Sequence, residues 1–295
     1  MQRNVSEKRL AVTFERGDID YLCPHTMVQT CLREDWMMRI VVFQRRWITA
    51  LGCAVAAAAM FGVVTNPAAI GAAATQRELP IYAVEEDPKE KRAALTFDAA
   101  WGNEDTETLI RILKRYQVPA TFFLVGQWVD RYPESVRALS DAGHEIGNHS
   151  DTHPYLTRCD GERILAELER CNEKIRAITG REPKLHRCPF GDYDDNVIRT
   201  IRSIGMEPIQ WNVDSLDWKE IPAGEISRRV LSQVKGGSII LFHNAAAHTP
   251  EALPEIIETL QREGYTLCTV SELLVPGEYT LDSAGVQHPV SGKAR

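Results

Sequence analysis

Short apolar runs alternate with amphipathic stretches along the chain from residue 93 onward. The apolar runs predict seven strands, and the stretches between them predict six helices. Strands that alternate with helices predict a parallel sheet covered by helices. The predicted strands are 93–98, 120–125, 145–149, 185–187, 207–213, 238–242 and 266–269, and the predicted helices are 106–116, 133–142, 161–179, 194–204, 224–234 and 250–264.

Polar side chains suited to catalysis stand at or just past the ends of successive predicted strands. In a β/α barrel the carboxyl ends of the strands form the catalytic rim. A doubly wound open sheet would instead gather its chemistry at one switch point. The spread over several strand ends therefore favours the barrel. These residues are Asp98, His149, Arg187, Asp214, Asp217 and His243.

An uncharged, Ala-rich apolar segment occupies residues 47–75, and Arg39, Arg45 and Arg46 precede it. A basic region followed by an apolar one is typical of a signal peptide or an N-terminal membrane anchor. We therefore expect residues 37–75 to export the protein, as a cleaved signal or as an anchor through 47–75, and a buried core helix is the alternative.

Met37 and Met38 stand immediately before the basic region of the predicted signal. Signal peptides do not usually carry a long polar extension. Our hypothesis is that translation starts at this pair and that residues 1–36 are an over-extended start.

The rest of the chain divides by composition. Residues 76–91 are charged and contain Pro88, which predicts a linker, and residues 276–295 form a polar tail. The catalytic domain is expected at 92–275.

The formal net charge is −7, which argues against nucleic acid as a partner. The domain's cysteines show no Cys-x2-Cys spacing, so a cysteine zinc site is not expected. Free buried thiols are expected, although an exported location would permit a disulfide.

His149-Ser150-Asp151-Thr152-His153 places two imidazoles four residues apart. On a helical turn this spacing puts both rings on one face, where they can converge on one ion. Imidazole suits Zn²⁺ and other late first-row divalent metals. Asp98 follows a buried strand, and a carboxylate beside such a site can help to activate water. Taken alone, Asp98 would more often be a turn or cap residue, and a His-x3-His pair is common by chance.

The ordered set of motifs resembles the polysaccharide deacetylases of carbohydrate esterase family 4, the NodB-homology domain. The resemblance covers roughly residues 90–275 and implies a distorted (β/α)7 barrel. It also implies hydrolysis of N-acetyl groups on amino sugars with a divalent metal, Zn²⁺ first and Co²⁺ or Mn²⁺ as alternatives. The motifs are Thr96-Phe97-Asp98, His149-Ser150-Asp151-Thr152-His153, Arg187-Cys188-Pro189-Phe190-Gly191, Asp214-Ser215-Leu216-Asp217-Trp218 and Leu241-Phe242-His243.

The resemblance implies two acid–base pairs. Asp98 is expected to be the general base, and Arg187 is expected to orient it and keep it ionised. Asp217 is expected to hold His243 protonated, so that His243 can donate to the departing amine as general acid.

The resemblance also implies the binding residues. His149 and His153 are the expected metal ligands. The backbone N–H of Phe190 is the expected second oxyanion donor. Trp218 and Leu241 are expected to form the apolar pocket for the acetyl methyl group.

One departure concerns the metal. The family's first motif usually reads Thr-Phe-Asp-Asp-Gly, with the second Asp as third ligand, whereas Ala99 stands here and cannot bind a metal. Three alternatives follow. Asp105, Glu104 or Asn103 completes the site, the ion is held loosely, or catalysis has been lost and only glycan binding remains.

We therefore expect an extracytoplasmic, metal-dependent polysaccharide N-deacetylase that acts as a monomer. Peptidoglycan is the expected substrate, chitin-type glycan is second, and a role in the spore wall is a hypothesis. The main rival is a catalytically inactive glycan-binding protein. A phosphodiesterase would need additional carboxylates that bridge two ions, which these motifs do not supply.

Overall fold

The fold is given by a computed structural model that describes residues 77–87 and 89–290. The expectations for 1–36 and 37–75 lie outside these residues. Within the described part of the chain, no helix is long and apolar enough to cross a membrane.

A mixed sheet of short strands forms the centre of the fold, and its longest strand, β2, lies in the middle. β2 pairs in parallel with β3, β8 and β9, and the parallel order then continues through β4 and β5 to β6. β7 also pairs in parallel with β8. The strands are β1 (Ala83–Val84), β2 (Arg92–Ala99), β3 (Thr121–Leu124), β4 (Glu145–Asn148), β5 (Leu185–His186), β6 (Glu207–Pro208), β7 (Val213–Asp214), β8 (Ser238–His243), β9 (Thr266–Cys268), β10 (Tyr279–Leu281) and β11 (Val286–Pro289).

Helices connect the parallel strands and bury one apolar face each. In the helix Gly161–Thr179, labelled α4, the side chain of Asp160 accepts a hydrogen bond from the N–H of Arg163, and Gly180 ends the helix at a φ of +69°. The helices are α1 (Thr106–Arg115), α2 (Gly126–Arg131), α3 (Pro133–Asp141), α4 (Gly161–Thr179), α5 (Asp195–Ser203), α6 (Ala223–Gln233), α7 (Thr249–Arg262) and α8 (Val270–Leu273).

The apolar core lies on both faces of β2. Leu95 and Phe97 pack in one cluster with residues of the surrounding helices, while Ala94 packs in a second cluster with Phe123 of β3. β2 is buried along almost its whole length because it has parallel partners at both edges. This frame brings the carboxyl ends of β2, β4, β5, β7 and β8 to one end of the sheet.

The predicted fold class, a distorted α/β barrel of the NodB type, is confirmed, and the six predicted helices are present with bounds that differ by at most two residues. The predicted strand 207–213 is instead two short strands, β6 and β7. Residue 209 does not continue β6 but forms a bridge to Ile81.

The linker expected at 76–91 and the tail expected at 276–295 require correction. Ile81, Ala83 and Val84 are buried, and Ala83 pairs with Ser238 of β8 and with Val286 of β11. β10 and β11 form an antiparallel pair beside β1. Within these segments β1, β10 and β11 belong to the sheet because they extend it beyond β8, a tertiary contact that local composition does not reveal.

Candidate active site

Asp98 and Arg187 form a buried ion pair at the end of the barrel strands. Arg187 Nη1 lies 2.8 Å from Asp98 Oδ1 and 2.8 Å from Thr96 Oγ1. Its Nη2 donates to the carbonyl of Gln210 at 3.1 Å, and the guanidinium lies 4.2 Å from the ring centre of Phe123. The arginine is therefore fixed, and it can hold Asp98 in one orientation.

The electrostatic surroundings keep Asp98 ionised. Burial by itself would raise the pKa of this carboxyl, which is 5% exposed. The charges of Arg187 and His243, together with the hydrogen bond from Arg187, outweigh burial and lower the pKa of Asp98. An ionised carboxylate with Oδ2 turned toward His149 can accept a proton.

His243 and Asp217 form the second pair. His243 Nδ1 lies 2.8 Å from Asp217 Oδ1, while Asp217 Oδ2 accepts from the backbone N–H of His243 at 2.8 Å and from Thr249 Oγ1 at 2.7 Å. Burial would lower the pKa of His243, but the hydrogen bond and charge of Asp217 raise it above the ordinary value. The pair favours an imidazolium beside an open cavity that both His243 and Asp98 line.

The two histidines of the second motif lie side by side in the cavity. Their ring centres are 4.9 Å apart, and His149 Nε2 lies 3.5 Å from Asp98 Oδ2. His149 Nδ1 is 2.8 Å from the carbonyl of Arg187, so it carries the proton and leaves Nε2 with a free lone pair. Burial lowers the pKa of His149 and lowers that of His153 to about 4. Both rings are therefore neutral near pH 7, the form that binds metal ions.

These observations fit a divalent metal with two protein ligands. The structure does not bring the other candidates into the cavity. Asp105 is the N-cap residue before α1, and its Oδ2 accepts from the N–H of Ala245 at 2.9 Å, while Asn103 Nδ2 donates to Ser135 Oγ. Neither these two residues nor Glu104 lines the cavity. Among the described residues, no group of three or more His, Cys, Asp or Glu side chains is arranged to hold a metal ion.

An open cavity of about 450 Å³ joins the two acid–base pairs and the two histidines. Leu241 lies buried in its wall, and Trp218 and Phe190 are more than half exposed at its border. Phe190 has a φ of +60°, a strained conformation for a residue with a side chain, which fixes the direction of its N–H. Seven of the nine site residues predicted without reservation line this cavity. The other two, Arg187 and Asp217, pair directly with Asp98 and His243, which line it.

Glu167 of α4 was missed by sequence reasoning. It is 1% exposed, and it accepts from the backbone N–H groups of Asp151 and Thr152 at 3.0 and 2.7 Å and from Thr152 Oγ1 at 2.8 Å. It thereby anchors the loop between His149 and His153. The available signal was a carboxylate on the apolar face of a helix, three residues after Ile164 and one before Leu168.

Comparison with known proteins places these features in a family. The family model for polysaccharide deacetylases matches residues 85–209. Peptidoglycan-N-acetylmuramic acid deacetylase PdaA of Bacillus subtilis (strain 168) is 34% identical over 199 residues, which cover 66% of this chain and 76% of PdaA. YlxY of the same organism is 36% identical over 195 residues, which cover 66% of this chain and 60% of YlxY.

Solved structures agree with these sequence matches. BA3943 of Bacillus anthracis, described as a CE4 family pseudoenzyme, superposes with a TM-score of 0.63 at 34% identity, covering 66% of this chain and 69% of that one. A BA3943 mutant described as having restored enzymatic activity gives 0.64 at 36% identity, with 66% and 71% covered. This chain thus belongs to the polysaccharide deacetylase family, carbohydrate esterase family 4, and has its NodB-type fold.

Proposed function

We propose that this protein is a metal-dependent deacetylase that removes N-acetyl groups from amino sugars of a cell-wall polysaccharide. The observation that carries the proposal is the convergence of two intact pairs, Asp98 with Arg187 and His243 with Asp217, on one cavity. A structural role alone would not need a lowered carboxyl pKa and a raised imidazole pKa on facing groups.

The chain's own residues divide the proton transfers between them. Asp98, held ionised by Arg187, accepts the proton of the attacking water. His243, held protonated by Asp217, donates a proton to the amine as the amide bond breaks. The Phe190 N–H would donate to the oxygen of the tetrahedral intermediate, and Trp218 and Leu241 would enclose the acetyl methyl group.

His149 and His153 would hold the divalent ion, for which we propose Zn²⁺, with Co²⁺ or Mn²⁺ as alternatives. When bound, the ion supplies Lewis-acid activation of the water and the carbonyl. Because two histidines form a smaller ligand set than the family's usual three, weaker metal binding is expected here.

Peptidoglycan is the proposed substrate, ahead of chitin-type glycan. The support is that PdaA and several other relatives carry the name peptidoglycan deacetylase. The same support, together with the charge pattern before residue 47, favours an extracytoplasmic location. Because the chain spans 60% of YlxY and 39% of PdaC, these points are proposals for the whole protein.

Mass spectrometry of digested peptidoglycan tests the proposal. Incubation with the full chain should convert a fraction of the N-acetylated sugars to free amines and show which sugar is converted. The Asp98→Asn variant should convert none, since it retains the shape of the site without the base. Conversion that persists in the variant would contradict the assignment of Asp98.

The second candidate is a glycan-binding protein without catalysis. Ala99 favours it, as does the similarity to BA3943, a structure described as a pseudoenzyme. Binding of peptidoglycan without any loss of acetyl groups, under every metal tried, would select this candidate.

A further inference from the structure

Exposed aromatic side chains cluster at the mouth of the catalytic cavity. Five large apolar side chains are markedly exposed in the described part of the chain, and four of them are here. Trp101, Phe190 and Trp218 line the cavity at 56%, 55% and 54% exposure, and Tyr155 stacks on Phe190 with ring centres 4.2 Å apart. The fifth, Val290, does not line the cavity.

Trp101 stands out because its backbone is fixed while its ring is exposed. Asn244 Nδ2 donates to the carbonyls of Trp101 and Gly102 at 2.8 and 2.6 Å, and Trp128 Nε1 donates to the Gly102 carbonyl at 2.6 Å. Gly102 has a φ of +54°, and a Cβ there would lie 2.7 Å from the Cβ of Ala245. Partly buried hydrogen bonds, and a glycine with no room for a side chain, thus hold the backbone at Trp101 while its ring stays exposed to solvent.

The ring of Trp101 also borders the chemistry. It lies 5.8 Å from the ring of His153 at an interplanar angle of 79°. The exposed indole lies at the edge of the cavity that the acid–base pairs share. It can bury apolar surface when a ligand binds there. The faces of sugar rings present C–H groups that pack on aromatic rings, so a glycan chain that enters this cavity would bury that surface.

We propose that Trp101 is a stacking platform for a sugar ring that neighbours the residue bound at the catalytic pairs. The ligand is then a chain of linked amino sugars, because a single sugar cannot occupy the catalytic pairs and the Trp101 platform at the same time. This inference rests on the proposed function only in taking a glycan as the occupant of the cavity, because recognition through Trp101 does not require that the acetyl group is cleaved.

Titration of the full chain with N-acetylglucosamine oligomers of one to six units tests the platform. Binding is measured by calorimetry with the Asp98→Asn protein, in which loss of the base prevents turnover. The Asp98→Asn protein should bind longer oligomers more tightly than the single sugar. Adding Trp101→Ala should weaken binding of the longer oligomers by about tenfold, the size of effect expected for one aromatic contact, and leave the single sugar unchanged. Trp101→Phe should retain most of the gain.

Val290→Ala is the matched control, since it removes another exposed apolar side chain, and it should bind every oligomer as before. The platform would be overturned if the Asp98→Asn protein binds long oligomers equally well with and without Trp101→Ala. It would also be overturned if neither of these two proteins binds any oligomer. Dependence of binding on Trp101 without acetate release from the protein with Asp98 intact would support the platform and contradict deacetylation. The two proposals therefore fail separately.

Discussion

Glu167→Gln should destabilise the protein and weaken its metal binding, although Glu167 does not contact the cavity. Its carboxylate receives two backbone N–H groups and a hydroxyl from the loop between the histidines, and Arg163 pairs with it. The loop needs this support because Ser150 and His153 have φ values of +66° and +58°, conformations that cost about 1–3 kcal/mol each.

The magnitude follows from the contacts. A hydrogen bond to a charged group contributes about 1.5–3 kcal/mol. Glutamine keeps the shape but removes the charge and turns an NH2 group toward donors. Loss of one such bond and weakening of the others gives about 3 kcal/mol, and for a domain of this size the Tm should fall by about 10 °C. The displaced loop should lower metal affinity by about 10- to 100-fold.

Two assays on the full chain measure these effects. Thermal unfolding of the metal-free protein gives the stability change, and competition with a chelator gives the Zn²⁺ affinity. Glu169→Gln is the matched control because Glu169 is exposed on the same helix, and it should change stability by no more than about 0.5 kcal/mol. If Glu167→Gln matches Glu169→Gln in both assays, the loop does not depend on Glu167.

Three further predictions concern the charged groups of the fold. Arg187→Met should lower the free energy of unfolding by about 3–5 kcal/mol, because Asp98 loses its buried partner; an unchanged urea midpoint would refute the pairing. Asp217 raises the pKa of His243, and acetate release should fall as pH rises through that pKa because the general acid loses its proton. Asp217→Asn should move this fall to lower pH and reduce kcat about 100-fold or more. An unmoved pH profile would exclude His243 as the acid. Burial lowers the pKa of His144 to about 4 from an ordinary 6.5. Between these values the unfolded state binds a proton that the folded state does not, so the free energy of unfolding should decline from pH 6.5 toward 4 by up to about 1.4 kcal/mol per pH unit. His144→Phe should reduce that slope in urea unfolding, and an unaltered slope would contradict the shift.

The sequence was most informative where local pattern and burial agree. Helix 161–179 was predicted with the bounds of α4, because its apolar stripe is regular and Gly180 ends it in a left-handed conformation. The site residues converge because parallel strands align their carboxyl ends. Asp98 and His243, for example, are partners in the β2–β8 register.

The remaining features depend on contacts between distant segments. β1 and β11 are strands of two and four residues that exist because they pair with each other and because β1 also pairs with β8. Their composition alone resembles a linker and a tail. The positions of Glu167 under the histidine loop and of Asn244 under Trp101 depend on tertiary packing. The left-handed conformation of His153 also replaces the regular helical turn that the His-x3-His spacing suggested.

Acetate release from acetylated peptidoglycan by the full chain tests the central claim most directly. The protein is stripped of metal, Zn²⁺, Co²⁺ or Mn²⁺ is added back separately, and Asp98→Asn serves as the control. The account predicts no release without metal, release with at least one ion despite Ala99, and none from the variant. No release with any of the ions would contradict the claim that this chain is a working deacetylase.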